Sequence, residues 1–520
     1  MKRKHKIMIG TILIVILAVA GAIIYFVKAV PPWEEWIAYG NDAIIEAIDR
    51  QLDGLDMEKL ISEKEGLVLE KNIRQLQASV RSGELTYEEL TAIYLYRIKK
   101  LDQCEYGYNS VMTIAADAMD QARSCDAGLQ QALGTGDEAS LSSLYGIPVM
   151  LKDNINTADM PTSSGTVTFA DYIPEADAQL VTALRQQGAI IMGKNNLAEF
   201  AYYVSSIMPN GYSGKKGQTV NPFGPLKISP SGSSSGSAVA VTANLTPVSI
   251  GTETSGSIMG PAGANSVVGF KPSRDSVSNE GIMPLIHKID TAGPLAKTVE
   301  DVALAYAVMS GQDDMDIGFE EVTLDGKTIG ISHYEYNDAD LIARIRDTLE
   351  AAGATVVDMD IPKGTVAVQS IIELTFKQDF ETYTQQYGFP ITKLDDLIAY
   401  NNADAKRRVR YGQDLLEAAN AVEKADTSAI DASIESARDI LDDLFESKGL
   451  DAIVFLNTTE STIASAAGYP ELSVPVGMNQ KGEPQGATFM TGKGADREVL
   501  EIGYAFEQAA QGRCVAGEDQ

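Results

Sequence analysis

Cysteine, histidine and positive charge are all scarce in this chain of 520 residues. The three cysteines, Cys104, Cys125 and Cys514, are far apart and form no C-x-x-C pair. The sequence therefore offers neither a disulfide framework nor a cysteine-based zinc or iron–sulfur site. Only 42 Lys and Arg stand against 72 Asp and Glu, which leaves a net charge of −30. Because a nucleic-acid binder needs a basic surface to neutralise phosphates, this balance argues against an RNA or DNA partner.

The three histidines are His5, His287 and His333, and no two of them have the spacing of metal ligands. A hydrolase of the Ser-His-Asp type would have only two histidines to draw on beyond the N-terminus. The apolar content of 44% and the charged content of 22% are those of an ordinary globular protein. We therefore expect a sizeable core and, if the protein is a serine hydrolase, a base other than histidine.

The N-terminal region lacks charge over a long stretch. Residues 7–27 are 21 consecutive uncharged residues, and a helix of this length, at about 1.5 Å per residue, spans a hydrocarbon core of about 30 Å. Residues 1–6 are a basic stub, which the positive-inside rule places in the cytoplasm. We therefore predict a transmembrane signal anchor over residues 7–28, with the rest of the chain outside the cell membrane. The alternative is a secreted protein, cleaved at Ala18–Ala20.

Short apolar runs such as IPVML, AIIM and AIVFL alternate with helical patterns along the rest of the chain. Runs of this kind are typical of buried strands in a largely parallel sheet that is covered by helices. The segment LTYEEL predicts a helix start, with Thr86 as N-cap and Glu89 completing a capping box. We predict one large α/β domain over residues 67–515, preceded by a linker or stalk over residues 29–66.

Two segments rich in glycine and serine lie close together: SPSGSSSGSAVAV at 229–241 and GTETSGSI at 251–258. A serine next to glycine permits a sharp turn in which successive backbone N–H groups point into one concavity. Serine is a weak nucleophile that needs a base and donors for the developing oxyanion, and residues 254–257 could supply those donors. The structural alternative for the first segment is a linker or a helix N-cap.

Lys152 ends the apolar run IPVML. Burial lowers the pKa of a lysine because it penalises the charged form, and this can make lysine a usable base. The structural alternative is a salt bridge with neighbouring Asp153. Since histidine is scarce, we interpret Lys152 as the base of a Ser–Lys variant of the catalytic triad.

Seven segments together resemble the amidase signature family: GIPVMLKDN, GAIIMGKNNLAEFA, SGSSSGSAVAV, GTETSGSI, VVGFKPS, DTAGPLAKTVEDVA and GYPELSVPVG. The resemblance covers roughly residues 69–512. It implies an amidase catalytic domain with a large mixed α/β sheet, helices on both of its sides, and no metal or cofactor. It also implies that Ser257 is the acylated nucleophile, Ser233 a bridging serine preceded by a cis peptide bond, and Lys152 the terminal base. The implied oxyanion hole is formed by the backbone N–H groups of Thr254, Ser255, Gly256 and Ser257.

Within that family, GYSGKKGQTVNPF and GTET are similar to the peptide amidases, which remove the C-terminal amide of peptides and release ammonia. By this resemblance Gly217 and Asn221 belong to the wall of the site, and the substrate-binding residues are Gln218, Thr219, Ser234 and Met259. Met259 stands where many members carry arginine, but peptide amidases have an apolar residue there. Ser255 replaces the usual Gly or Asp, and residues 272–281 lack the usual Thr-x-Gly, which puts the substrate wall in question.

Several other functions are compatible with the sequence. The substrate could be an aryl, aliphatic or fatty-acid amide, or the chain could be a non-catalytic binding module. It could also be the glutaminase subunit of a tRNA-dependent amidotransferase, although the net charge of −30 argues against that partner. The expected partners are a small-molecule or peptide amide and, through the N-terminal helix, the membrane. We expect a monomer or homodimer.

Overall fold

The computed structural model describes residues 34–137, 140–311, 319, 322–333, 338–362, 366–423 and 427–517. Its strands are β1 Val111–Ile114, β2 Pro148–Lys152, β3 Ile190–Asn195, β4 Tyr212–Ser213, β5 Gly217–Gln218, β6 Val248–Glu253, β7 Val268–Lys271, β8 Thr291–Ala296, β9 Thr328–Ser332, β10 Thr355–Met359, β11 Ala452–Leu456, β12 Glu471–Met478 and β13 Pro484–Met490. Eleven of these strands form one sheet, in the order β1-β3-β2-β6-β8-β7-β12-β13-β11-β9-β10. Strands β4 and β5 form a separate two-stranded ribbon.

Helices lie between many of the strands, and several of them pack against the sheet, whereas the helices of residues 368–420 pack mainly against one another. Their bounds are Asn41–Leu52, Met57–Lys64, Ile73–Arg81, Tyr87–Arg97, Ala118–Thr135, Gln179–Gln186, Glu199–Tyr202, Ser235–Thr242, Met259–Ala264, Val299–Ser310, Ala339–Ala351, Val368–Gln386, Leu394–Asn402, Ala405–Arg408, Asp414–Asn420, Thr427–Lys448, Ser461–Ala467 and Asp496–Ala510. The predicted capping box is present, because Thr86 Oγ1 accepts from the Glu89 N–H and the Glu89 carboxylate accepts from the Thr86 N–H. The α/β architecture predicted from the sequence is confirmed.

The sheet is mixed, as the resemblance implied, and not largely parallel, as the apolar runs alone suggested. Strand β2 is parallel to both β3 and β6, and β9 is parallel to both β10 and β11. The other six pairings in the sheet are antiparallel. An apolar run indicates that a strand is buried on both faces, but it carries no information about the direction of its neighbours.

Residues 34–66, the described part of the predicted linker, contain two helices that contact the rest of the protein. Ile44, Ile48 and Leu52 of the first helix are buried in the main hydrophobic core. Ahead of that helix, the Ile37 carbonyl accepts from the Gln218 N–H at 2.8 Å. This segment therefore packs directly against the large domain, and the domain boundary at residue 66 stays a prediction.

The predictions of a transmembrane helix and of a single-pass cell-membrane protein are corrected by the structure. No helix in the described part of the chain is long and apolar enough to cross a membrane. A spanning helix needs about 20 mostly apolar residues, whereas the 22-residue helix Thr427–Lys448 carries charged side chains along its length. Residues 7–28, the predicted anchor, lie outside the described residues.

Candidate active site

Lys152 is the last residue of β2 and is fully buried. Leu151 pairs with Ile250 of the neighbouring parallel strand, which brings Lys152 next to Thr252. Lys152 Nζ lies 2.8 Å from Ser233 Oγ, 2.8 Å from Thr252 Oγ1 and 3.1 Å from the Thr252 carbonyl oxygen. Asn154 Nδ2 donates to Thr252 Oγ1 at 3.1 Å and so fixes that hydroxyl. The lysine amine is thus held by three oxygen atoms, one of them the hydroxyl of the predicted bridging serine.

The environment of Lys152 favours the neutral amine. Burial lowers the pKa of Lys152 from 10.5 to about 7, because the ammonium form loses its hydration. The carboxylates of Asp290 and Glu253 act in the opposite direction and limit the fall in this pKa. A base with a pKa near 7 is available in neutral solution and can still pass its proton on.

The alternative salt bridge between Lys152 and Asp153 is not formed. The Asp153 carboxylate instead accepts from the Ser163 N–H at 3.1 Å and from the Gly165 N–H at 3.4 Å. It also accepts from the Ser163 hydroxyl. Asp153 lies just after the end of β2, and its carboxylate faces the segment of residues 163–165 instead of Lys152.

The first Gly/Ser segment leads into the buried helix Ser235–Thr242. The Gly232–Ser233 peptide bond is cis, as the resemblance implied. Ser233 and Ser234 are both fully buried. The Ser234 hydroxyl donates to the Thr252 carbonyl at 3.1 Å and accepts from the Thr252 N–H at 3.3 Å. The Ser234 N–H donates to the Ser257 carbonyl at 3.2 Å. Ser234 therefore joins the two Gly/Ser segments to each other.

The second segment turns sharply between β6 and the helix Met259–Ala264. Gly256 has a φ of +93°, in the left-handed region that favours glycine. The Glu253 carboxylate accepts from the Ile258 N–H at 2.6 Å and from the Met259 N–H at 3.0 Å. Among the described residues, no acceptor takes a hydrogen bond from the N–H groups of residues 255–257. The amides just after Ser257 are thus occupied, whereas those leading up to it are available to an oxyanion.

Ser257 itself is half-buried, so a substrate can reach it from solvent. The Ser257 carbonyl accepts a hydrogen bond from the N–H of Ser234, the residue next to Ser233. This contact brings the backbone of Ser257 next to Ser234, whereas the Ser257 hydroxyl makes no hydrogen bond with Ser233 or Lys152 among the described residues. Thr254, at the start of the same turn, donates its hydroxyl to Asp290 Oδ1 at 2.5 Å. Burial raises the pKa of Asp290 to about 7.

The residues predicted to bind substrate are held by contacts within the protein. Gln218, Thr219 and Met259 are buried. Gln218 Nε2 donates to the Asn210 carbonyl at 2.6 Å and to the Thr219 carbonyl at 2.8 Å, while Gln218 Oε1 has no hydrogen-bond partner among the described residues. The Thr219 hydroxyl donates to the Asn109 carbonyl at 3.0 Å. Their contacts are with the protein, and their role toward a substrate stays a prediction.

The sequence did not predict a buried cluster of charged residues next to the turn formed by residues 254–258. Ser465 Oγ lies 3.2 Å from Glu253 Oε1 and 3.2 Å from Glu471 Oε2. Lys271 Nζ is 3.6 Å from Glu471 Oε2. Burial and the nearby Glu253 raise the pKa of Glu471 well above its ordinary value. The only sequence signal was the pair of apolar runs VGF and LSV, each flanked by a charged residue.

Histidine and cysteine side chains are not gathered into a metal site in the described part of the chain. His287 and His333 are exposed, and His333 Nε2 lies 2.5 Å from Asp358 Oδ1. Within the described ranges, no group of three or more His, Cys, Asp and Glu side chains could hold a metal ion. Cys104, Cys125 and Cys514 are free thiols.

Comparisons with known proteins agree on one family. A family model described as Amidase matches residues 89–455. A crystal structure of an amidase family protein from Bacillus anthracis str. Ames superposes with a TM-score of 0.88 at 39% identity, covering 94% of this chain and 100% of the other. The native peptide amidase from Stenotrophomonas maltophilia superposes with a TM-score of 0.79 at 36% identity, covering 87% of this chain and 99% of the other. A curated probable amidase of Arabidopsis thaliana is 33% identical over 473 residues, 85% of this chain and 90% of its own length.

Proposed function

This chain belongs to the amidase family, and we propose that it cleaves the C-terminal amide of peptides through an acyl-enzyme on Ser257. The enzyme hydrolyses amides. The observation that carries the proposal is the 2.8 Å contact between Lys152 Nζ and Ser233 Oγ, next to the turn that presents Ser257. We take residues 67–515 as the catalytic domain.

The proposed reaction begins with the neutral amine of Lys152. Ser257 Oγ attacks the carbonyl carbon of the substrate amide while its proton passes to Ser233 Oγ, and the Ser233 proton passes to Lys152 Nζ. The C=O bond of the substrate becomes a C–O⁻ bond, which the N–H groups of residues 254–257 stabilise. Among these donors, the amides of residues 255–257 have no other acceptor in the described part of the chain, which supports this assignment.

Collapse of the tetrahedral intermediate breaks the C–N bond. The leaving nitrogen takes the proton that Lys152 holds, through Ser233, and departs as ammonia. A water molecule then attacks the acyl carbon and gives its proton to the same relay, after which the peptide carboxylic acid leaves and Ser257 is restored. The protons balance over the cycle, and neither a metal nor an oxidant is needed for it.

The more specific part of the proposal is that the amide substrate is a peptide. It is supported by the 36% identity to a protein named as a peptide amidase. It is also supported by Met259, which is fully buried and puts an apolar group where many family members carry arginine. Met259 therefore offers no positive charge to an acidic substrate at this position.

The test is ammonia release from a C-terminally amidated dipeptide by the full chain, beside Ser257→Ala. A matched control is Ser62→Ala, at an exposed serine of the helix Met57–Lys64. We expect release by the parent and the control and none by Ser257→Ala. Release from aryl or fatty-acid amides alone would move the substrate to those classes. Equal turnover by Ser257→Ala would refute the nucleophile.

A further inference from the structure

Thr458 lies at the rim of the candidate active site, although it is far from Ser257 in sequence. It belongs to the turn between β11 and the helix Ser461–Ala467, and its side chain is exposed. A Cβ built on Gly256 would lie 3.0 Å from Thr458 Cγ2, and one built on Gly260 would lie 3.2 Å from the same methyl group. The methyl of Thr458 therefore covers the backbone on both sides of the predicted nucleophile.

Ser231 of the first Gly/Ser segment also lies beside Gly260. A Cβ built on Gly260 would also lie 2.7 Å from Ser231 Oγ. Ser231 and Ser257 are half-buried and Thr458 is exposed, so all three line surface that solvent reaches. The side chains of Ser231 and Thr458 thus both lie beside Gly260, three residues after Ser257.

The turn that carries Thr458 is held firmly by β13. The residue before it, Asn457, has a φ of +53°. The Asn457 N–H donates to the Gly486 carbonyl at 2.8 Å, and Asn457 Oδ1 accepts from the Gly486 N–H at 2.9 Å. Thr488 Oγ1 donates to the Asn457 carbonyl at 2.6 Å, and the Ser461 N–H donates to the Thr458 carbonyl at 3.1 Å. The backbone that carries the Thr458 side chain is therefore fixed next to β13.

We propose that Thr458 is a specificity-determining residue that limits the size of the substrate side chain next to the scissile amide, an inference that rests on the proposed function. In the acyl-enzyme the acyl carbon is bonded to Ser257 Oγ. The acyl oxygen lies at the N–H groups of residues 254–257, and the remaining substituent of the acyl carbon, the Cα and side chain of the amidated residue in a peptide, extends from Ser257 along the surface beside this turn. The γ-methyl of Thr458 occupies space into which a larger side chain would extend.

The experiment compares kcat/KM for dipeptide amides that end in Ala-amide and in Trp-amide, with the full chain and its variants. Thr458→Ala removes the γ-methyl and should raise the Trp-to-Ala ratio about tenfold, the effect of one methyl-sized group in a pocket. Thr458→Leu should lower the ratio by a similar factor. Thr458→Val keeps the shape and should leave the ratio within about twofold of the parent, which separates a steric effect from the loss of the hydroxyl.

Thr355→Ala is the matched control, at an exposed threonine on the far edge strand β10, and should not change the ratio. Equal labelling of Ser257 by a small fluorophosphonate in every variant shows that the site is intact. An unchanged ratio in both Thr458→Ala and Thr458→Leu, with the parent active, would refute the role of Thr458 and leave the proposed function standing. Failure of the parent on every peptide amide would refute the proposed function, and this inference with it.

Discussion

Replacing Lys152 by methionine should abolish activity and, at neutral pH, change stability in a way that reveals the charge state of this lysine. Keeping Lys152 buried lowers its pKa from 10.5 to about 7. At 1.36 kcal/mol per pKa unit, a charged Lys152 costs the folded state about 5 kcal/mol. Methionine has a similar shape and no charge, so this cost disappears in the variant. The variant also lacks the hydrogen bonds of the amine with Ser233 and Thr252, at every pH.

The pH dependence of stability separates the cost of the buried charge from the loss of the hydrogen bonds. The unfolded chain holds the proton of Lys152 up to about pH 10.5, whereas the folded chain releases it near pH 7. Between these values the unfolded state binds more protons, so the parent gains stability as the pH rises. The cost of the parent's lysine falls from about 4 kcal/mol at pH 7 to about 1 kcal/mol at pH 9.5. The free energy of unfolding of Lys152→Met, relative to that of the parent, should therefore fall by about 3 kcal/mol between pH 7 and pH 9.5.

Urea unfolding of the parent and Lys152→Met at pH 7 and pH 9.5, followed by circular dichroism, measures this difference. The hydrogen bonds that the variant lacks at both pH values cancel, as do the shared titratable groups that do not interact with Lys152. The carboxyl groups of Asp290 and Glu253 do interact with it and contribute to the measured difference. Leu151→Met, a buried change on the same strand that removes no titratable group, is the control and should give a constant difference. A difference between parent and Lys152→Met that stays within about 0.5 kcal/mol across the pH range would mean that Lys152 does not lose its proton near neutrality, and the proposed base would be wrong.

Four further predictions concern the same site. The parent's kcat/KM should rise about tenfold per pH unit below pH 7 and level off above it, because only the neutral form of Lys152 accepts a proton; a rate that falls over this range would contradict this. Thr252→Val removes a hydroxyl 2.8 Å from Lys152 Nζ and should lower kcat about tenfold with little change in KM, measured by steady-state kinetics. Glu253→Gln weakens the acceptor of two backbone amides after Ser257 and should lower kcat by about 10- to 100-fold, and an unchanged kcat would show that the turn does not need it. Gly256→Ala places a Cβ at a φ of +93° and against Thr458, so it should slow fluorophosphonate labelling of Ser257 while circular dichroism stays unchanged.

Those parts of the site that lie in continuous motifs could be predicted from the sequence. The apolar run before Lys152 indicated a buried strand, and β2 is fully buried. The two Gly/Ser segments indicated sharp turns with free amides, and the structure brings them together through Ser234. The roles of Lys152, Ser233 and Ser257 in catalysis stay predictions.

Features that depend on contacts between distant segments could not be predicted. Asp290 reaches Thr254, and Thr458 reaches Gly256, only because β8 and β11 belong to the same sheet as β6. Strand direction was equally hidden, since a buried strand is apolar whether its neighbours run parallel or antiparallel. The membrane anchor was inferred from an uncharged stretch that follows a basic stub, and the described residues give it no support.

The central claim is that Ser257 is the nucleophile and that Lys152 activates it through Ser233. The most direct test is to treat the full chain with a fluorophosphonate and to locate the modified residue by mass spectrometry of its peptides, with Lys152→Met and Ser257→Ala alongside. Labelling of Ser257 in the parent, strongly slowed labelling in Lys152→Met and none in Ser257→Ala are predicted. A label on another serine, or equal rates in the parent and Lys152→Met, would contradict it.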